Sequence, residues 1–350
     1  MHTCQVYTGY GSLINLPQKI HLYNQNKVLL LIDENVEKLY GRKVNEILLE
    51  DGLRPYFHTI ASGETSKSAG RWLEALDFCF ENGVNRKTPL VAVGGGVTGD
   101  LAGFVAASVM RGIPLIQIPT TLLAMVDSSL GGKTGINHPS GKNLIGAFYQ
   151  PDVILSDIAF LETLPAREWH CGMAEIIKYG AIADPGLFAL AAPFKSGFSN
   201  PAKLIELIIR CAKIKAGIVA EDEKETGKRA WLNFGHTFAH ALESLTQYVR
   251  FSHGEAVYVG MIAALKLSAL CGSEIDKSPL HQFLDAYRLS TSDLKNRIPD
   301  LIDKMFLDKK NLNNTVRVVL LESYGKPKLA EITDLSLLEK SWEYALDVCD

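Results

Sequence analysis

The sequence predicts an α/β half built on a parallel sheet, followed by a half that is mainly α-helical. Three observations predict it. Short apolar runs alternate with amphipathic stretches as far as residue 157, and a glycine run lies where one apolar run passes into the next amphipathic stretch. Beyond residue 165 the apolar positions recur at the 3.6-residue period of helices. With 350 residues the chain is long enough for two domains, each with a substantial core.

The elements follow in order. KVLLLID (27–33) is an unbroken apolar run, the pattern of a strand covered on both faces. NVEKLYGRKVNEILLE is amphipathic, PYFHTIA is a second strand, and KSAGRWLEALDFCFENG is a second helix closed by glycine. PLVAVGGG (89–96), DLAGFVAASVMRG, PLIQIPTT and DVILSD (152–157) continue this βαβ rhythm. After LETLPAREWH the long periodic segments PAKLIELIIRCAKIKAGIVAED, RAWLNFGHTFAHALESLTQY and GEAVYVGMIAALKLSALCG read as helices. Pro165 interrupts the pattern, so the boundary is placed near 165–170, dividing 1–167 from 168–350.

Composition narrows the function classes. A formal net charge of -3 without a long basic run argues against nucleic-acid or membrane partners held by bulk electrostatics. Cys4, Cys79, Cys171, Cys211, Cys271 and Cys349 are scattered without a C-x-x-C pair, which fits reduced thiols in a cytosolic protein. The N-terminus carries no basic region followed by an apolar stretch, and no run approaches the ~18 apolar residues of a membrane span. A soluble, unprocessed, cytoplasmic protein is expected.

Gly94-Gly95-Gly96-Val97-Thr98-Gly99-Asp100 satisfies G-x-G-x-x-G between a predicted strand and a predicted helix, so the first half is read as a Rossmann-like nucleotide-binding domain. A plain glycine turn is the simpler alternative. The acidic ribose anchor expected about 20 residues on is missing, and Asp33, ending an earlier strand, is the better candidate. Ser62-Gly63-Glu64-Thr65-Ser66-Lys67 offers further polar contacts, or simply a capped helix start.

The second half carries a candidate metal centre. Glu175 and Lys178 are i,i+3 on one helix face, where an exposed ion pair is the ordinary alternative. His236 and His240 are i,i+4 in an otherwise apolar segment, with His253 beyond them. One carboxylate and two imidazoles make a usual three-ligand set for a catalytic zinc-like ion, though the spacing does not reveal which histidines bind. H-T-F-A-H lacks the glutamate of H-E-x-x-H, so a zincin-type protease loses its base. Residues 124–151, glycine-rich and polar with Asp127, Lys133, His138, Lys142 and Asn143, read as a site-forming loop. The two lysines, with Lys213, Lys215, Lys228 and Arg229 near Glu225, suggest an anionic substrate, a carboxylate or phosphate; a solvated charged face is the ordinary alternative.

SGETSK, VAVGGGVTGDLAGFVAASVMRG, IPTTLLAMVDSSLGGKTGINHPSGKNLIGAFYQP, GMAEIIKYG, NFGHTFAHALE and HGEAV stand in this order along nearly the whole chain. In these blocks the sequence resembles the 3-dehydroquinate synthases, within the sugar phosphate cyclases. That resemblance implies a dehydroquinate-synthase-like fold, bound NAD and one divalent ion, Zn2+ or Co2+. It implies Glu175, His236 and His253 as metal ligands, with His240 in the substrate site. Asp33 would hold a ribose, Glu64 and Lys67 the nicotinamide half or its ribose, Gly95, Gly96, Val97, Thr98, Gly99 and Asp100 the pyrophosphate, and Thr120 and Thr121 the adenosine side. Ser62, Gly63, Lys133, Lys142, Phe160 and Thr163 are further implied cofactor neighbours. Implied substrate groups are Asp127, Lys133, Lys142, Asn143, Lys178, Lys215, Glu225, Arg229, Asn233 and His240, with a lysine from the pair Lys309 and Lys310. Arg111 would reach the neighbouring subunit's site, implying a homodimer.

The implied reaction converts 3-deoxy-D-arabino-heptulosonate 7-phosphate into 3-dehydroquinate and phosphate, in the shikimate pathway to chorismate and the aromatic amino acids. It runs through oxidation by NAD, phosphate elimination, re-reduction, ring opening and aldol closure. Three rivals differ in testable ways. A metal- and NAD-dependent polyol or glycerol dehydrogenase would release NADH and has no use for the lysines; a sibling cyclase would differ at substrate-contacting positions; a non-enzymatic binding protein would turn nothing over.

Overall fold

The computed structural model describes residues 4–223, 227–306 and 315–350. It divides into two compact units, Met1–Leu164 with Leu204–Ala212, and Pro165–Lys203 with Lys213–Asp350. A single cut near 165–170 does not anticipate that the middle of the Pro201–Glu221 helix belongs with the first unit. There Ala212 packs with Leu130 and Ile154, against the half-buried Cys4.

The first unit holds six parallel strands in the order β1-β8-β5-β4-β2-β3. β2 (Lys27–Asp33), β4 (Leu90–Gly94), β5 (Leu115–Pro119) and β8 (Val153–Asp157) lie inside the sheet. Their side chains are almost wholly buried, from Val28 to Ile32 and from Leu90 to Val93, which is why they read as continuous apolar runs. β3 (Arg54–Ile60) and β1 (Gln5–Gly9) are the edges, and both are partly exposed. β1 is an addition to the predicted strands: QVYTG has no apolar run and is held by pairing with β8 from Gln5↔Val153 to Gly9↔Asp157.

The connecting helices follow from capping and burial. Ser68 accepts the Arg71 N–H at 3.4 Å and starts the Ala69–Glu81 helix, so the Ser62–Lys67 segment precedes the cap rather than supplying it. Gly83, at φ +60°, ends that helix, with the Val84 N–H reaching the Cys79 carbonyl at 3.1 Å. Leu101, Ala102, Val105 and Ala106 of the Gly96–Ser108 helix pack with Leu29, Leu31, Ala75, Cys79 and Leu115.

Residues 124–151 differ from the expected loop. After a wide turn at Ala124–Ser128 they form an antiparallel hairpin, β6 (Lys133–His138) with β7 (Gly141–Phe148). Glycine disguises these strands by its low β-propensity, yet the pairing requires it. Gly135 faces Gly146, and a Cβ on Gly135 would stand 2.5 Å from the Ile145 carbonyl oxygen.

The second unit is mainly helical, as expected, with an antiparallel pair of β9 (Val316–Ser323) and β10 (Lys326–Ile332) as well. The His253–Leu270 helix is buried on all sides from Ala256 to Leu265, the environment its nearly unbroken apolar sequence requires. No disulfide forms: Cys79, Cys171, Cys211 and Cys349 are buried, while Cys271 is exposed. Among the described residues no helix is long and apolar enough to cross a membrane.

Candidate active site

A parallel sheet sends all its carboxyl ends to one edge, where ligands of such folds gather beside the point at which strand order reverses. Here the chain runs from β2 outward to β3, then back across β2 to β4 and onward to β5 and β8. The reversal therefore lies between β2 and β4, whose last registered pair is Ile32↔Val93. Asp33 and Gly94 are the next residues on these two strands, so pairing brings an acid beside the glycine turn although the two are far apart in sequence. Ser62 to Lys67 follow β3, Thr120 and Thr121 follow β5, and Phe160 and Thr163 follow β8. Each implied cofactor group outside the hairpin thus stands just beyond a strand's carboxyl end.

Local contacts hold these groups. Asp33 accepts from the N–H groups of Asn35 and Val36 at 2.9 and 3.2 Å, and from the Ser62 hydroxyl at 2.7 Å. A Cβ on Gly94 would meet Thr98 at 2.7 Å, and one on Gly96 would meet the Ser128 hydroxyl at 3.0 Å. The turn therefore presents bare backbone at the head of a thirteen-residue helix, whose leading N–H groups have no intrahelical acceptor. That cradle fits a pyrophosphate. Thr120 is buried, and the Thr163 hydroxyl lies 2.9 Å from the Tyr40 hydroxyl, with the Tyr40 ring edge-on to Phe160 at 4.7 Å.

The hairpin is tied to the segment after β3 by Asn137, which sequence reasoning overlooked. Its side-chain amide donates to Glu64 Oε1 at 2.8 Å, its carbonyl oxygen accepts the Asn143 N–H at 2.9 Å, and its own N–H donates to the Lys67 carbonyl at 2.8 Å. Lys67, buried, donates to Asp100 at 2.7 Å and also to Asn143. Asn143 sits at φ +54°, a conformation asparagine tolerates. Lys133 and Lys142 are exposed on the same hairpin, and Asp127 is half-buried in the turn before it. Arg111 is exposed beside Met110, both with left-handed backbone.

In the second unit three helices converge. Glu175 lies in the Ala166–Ile182 helix, His236 begins the His236–Leu245 helix, and His253 begins the His253–Leu270 helix. One ligand atom from each lies within 4.8 Å of the others. His236 Nε2 is 3.6 Å and His253 Nε2 is 3.7 Å from Glu175 Oε1. Glu175 and Lys178 are 1% and 2% exposed and form an ion pair, so this is no surface pair: each charge offsets the other's loss of hydration.

Close helix contacts build the convergence. A Cβ on Gly254 would stand 3.1 Å from the backbone N and C of Cys171, and nearer still to its Cα; Glu175 lies one turn beyond Cys171. A Cβ on Gly235 would stand 2.8 Å from the Met261 nitrogen, so the two histidine-bearing helices also touch backbone to backbone. Ser252 and Glu255 form a reciprocal capping box that starts the His253 helix, and Arg167 holds Glu255 at 2.8 Å.

The second imidazole nitrogens have acceptors. His236 Nδ1 is 3.3 Å from the Phe234 carbonyl, and His253 Nδ1 is 3.3 Å from Glu243 Oε1. Glu243, buried, went unnoticed in the sequence, although its place three residues after His240 and seven after His236 puts it on their helix face. Burial, then the charge of Lys178, pushes His236 well below the ordinary histidine range. Burial acts the same way on His253, but Glu175 and Glu243 outweigh it and hold its imidazole above that range.

His240 is exposed, its ring 5.7 Å from that of His236. Lys215 and Arg229 are buried, and Arg229 donates to the Glu223 carbonyl at 2.5 Å. Asn233 is half-buried at the end of the Lys228–Asn233 turn. Glu225, Lys309 and Lys310 lie outside the described residues.

Comparison with known proteins places the chain in a family. Residues 57–171 match the 3-dehydroquinate synthase N-terminal family and residues 172–311 its C-terminal counterpart. The 3-dehydroquinate synthase of Desulforamulus reducens is 45% identical over 305 residues, 86% of this chain and 85% of that protein. Among solved structures, 2-deoxy-scyllo-inosose synthase with carbaglucose-6-phosphate, NAD+ and Co2+ is 27% identical at a TM-score of 0.85, covering 97% of this chain and 96% of that one. The 2-epi-5-epi-valiolone synthase of Streptomyces hygroscopicus subsp. jinggangensis, with NAD+ and Zn2+, is 25% identical at a TM-score of 0.86, covering 99% and 97%. Matched in order by both family models and at this identity over most of its length, the chain belongs to the 3-dehydroquinate synthase family.

Proposed function

We propose that the chain is a phosphate-eliminating carbon–oxygen lyase that converts 3-deoxy-D-arabino-heptulosonate 7-phosphate into 3-dehydroquinate, working as a cytoplasmic homodimer. The observation that carries this reading is the convergence of Glu175, His236 and His253 beside buried Lys178, in a chain of this family. One carboxylate and two neutral imidazoles suit Zn2+ or Co2+ with positions left for substrate, and the turn at Gly94–Gly96 suits NAD. When bound, the cation polarises a substrate hydroxyl and the nicotinamide takes and returns a hydride.

The chain's own residues supply the rest. Glu175, His236 and His253 hold the cation. Gly95 to Asp100 receive the pyrophosphate, Asp33 a ribose, Thr120 and Thr121 the adenosine side, and Glu64 and Lys67 the nicotinamide half, with Ser62, Gly63, Phe160 and Thr163 around it. Lys133, Lys142, Lys178, Lys215 and Arg229 offset carboxylate and phosphate charge as it redistributes during elimination. Asp127, Asn143, Asn233 and His240 orient hydroxyl groups, and His240 moves protons in the later steps. Arg111 serves the neighbouring subunit's site. The test is incubation with the heptulosonate phosphate, NAD+ and Co2+ or Zn2+. Phosphate and dehydroquinate are expected together, without net NADH; accumulating NADH would point to a polyol dehydrogenase, and no phosphate would reject the assignment.

A further inference from the structure

We propose that Glu243 is a positioning residue: its carboxylate accepts the Nδ1 proton of His253, fixes that ring's tautomer and plane, and so sets the affinity of the Glu175/His236/His253 cluster for a divalent cation. The inference rests on the reading of that cluster as a metal centre.

A neutral imidazole has one donor and one acceptor nitrogen, and a cation needs the acceptor. Both rings turn Nε2 toward Glu175 Oε1, at 3.6 Å for His236 and 3.7 Å for His253. With a cation on Nε2 both rings carry their one proton on Nδ1, and each meets an acceptor there at 3.3 Å. For His236 the acceptor is the Phe234 backbone carbonyl, two residues away, which no side-chain substitution removes. For His253 it is Glu243 Oε1. An ionised carboxylate is an acceptor only, so it admits a single tautomer of the ring it faces.

The two histidines also differ in how tightly packing holds them. The His236 side chain is 13% exposed and that of His253 is 37% exposed. Packing restrains the first ring, whereas the second has solvent on one side and depends more on a directed bond. Glu243 is itself 9% exposed, and it comes from the helix that His236 begins, so one element carries a ligand and the group that orients another. One backbone contact of Glu243 is separable from this role. The turn after that helix is closed by the Glu243 backbone carbonyl, which accepts from the Tyr248 N–H at 2.8 Å, and that bond survives any change of side chain.

The test uses the full chain, stripped of metal and titrated with Co2+ against a competing chelator. Glu243→Ala should bind Co2+ about 10- to 100-fold more weakly than wild type, the usual cost of losing such an outer partner, and should release it faster. Glu243→Gln keeps an acceptor oxygen without the charge, and should recover most of the affinity and the wild-type Co2+ absorption spectrum. Affinity within twofold of wild type in both variants overturns the proposal. So does a loss of affinity matched in both by an equal loss of metal-free thermal stability. If the wild-type chain takes up no stoichiometric Co2+, the metal-centre reading fails first, and that result is distinct from either.

Discussion

Replacing Gly254 with alanine puts a methyl carbon 3.1 Å from the backbone N and C of Cys171, and closer still to its Cα. Non-bonded carbon contacts are comfortable at about 3.5–4.0 Å, so the helices bearing Glu175 and His253 must part by at least about 0.4 Å. Neither side yields easily, because the collision is with backbone and Cys171 is itself buried. Metal sites tolerate ligand errors of only about 0.2 Å. Overpacking of this kind costs about 1–3 kcal/mol. If roughly 2 kcal/mol of that falls on the metal-bound geometry, Co2+ affinity drops about 30-fold, since about 1.4 kcal/mol is a factor of ten. Chelator-competed Co2+ titration measures the affinity, and thermal unfolding with excess chelator measures the packing cost alone. Gly70→Ala is the control, since a Cβ there meets nothing within 4 Å, and it should leave Co2+ binding unchanged. A Gly254→Ala chain with Co2+ affinity within threefold of wild type would falsify the claim that this contact sets the ligand geometry.

Other outcomes follow from the same contacts. Glu175→Gln should abolish stoichiometric Zn2+ by elemental analysis and, by stranding buried Lys178, lower stability by about 3–5 kcal/mol; retained stoichiometric metal would exclude Glu175 as a ligand. Gly146→Ala drives a Cβ into the Thr134 carbonyl and should cost about 1–3 kcal/mol, read as a lower denaturation midpoint; an unchanged midpoint would contradict the hairpin register. His58 lies beside Phe78, and burial lowers its pKa from the ordinary value. A depressed pKa means the unfolded chain binds the proton more readily, so the contribution is present above about pH 6.5 and is lost as pH falls. The urea midpoint should therefore fall between pH 7.5 and pH 5.5 by less in His58→Gln than in wild type, and equal falls would assign the effect elsewhere.

The parts of the fold that were hard to read share one physical cause. β1 has no apolar run because an edge strand buries little, and only its ladder with β8 holds it. The β6–β7 hairpin is disguised by Gly135 and Gly146, whose small size serves the partner strand rather than local propensity. Asn137 and Glu243 are ordinary polar residues in sequence. Their importance lies in what they bond across the fold, Glu64, Lys67 and Asn143 in one case and His253 in the other. Glu243 had a faint signal in its helical spacing from His236 and His240. Asn137 had none.

What burial writes directly into a chain could be read from it: the inner strands, because a strand covered on both faces must be apolar throughout; the helical second half, because one buried face imposes a 3.6-residue period; and the glycine turn at the head of its helix. The motif blocks added the family and a set of expected residues. Convergence is another matter. His236 and His240 are equivalent by spacing, one turn apart, and spacing alone left open which of them binds. His236 faces Glu175 and His253 because its helix meets the His253 helix backbone to backbone at Gly235–Met261, and the His253 helix meets the Glu175 helix at Gly254–Cys171. That approach depends on the sizes of residues distant in sequence, and no local pattern encodes it.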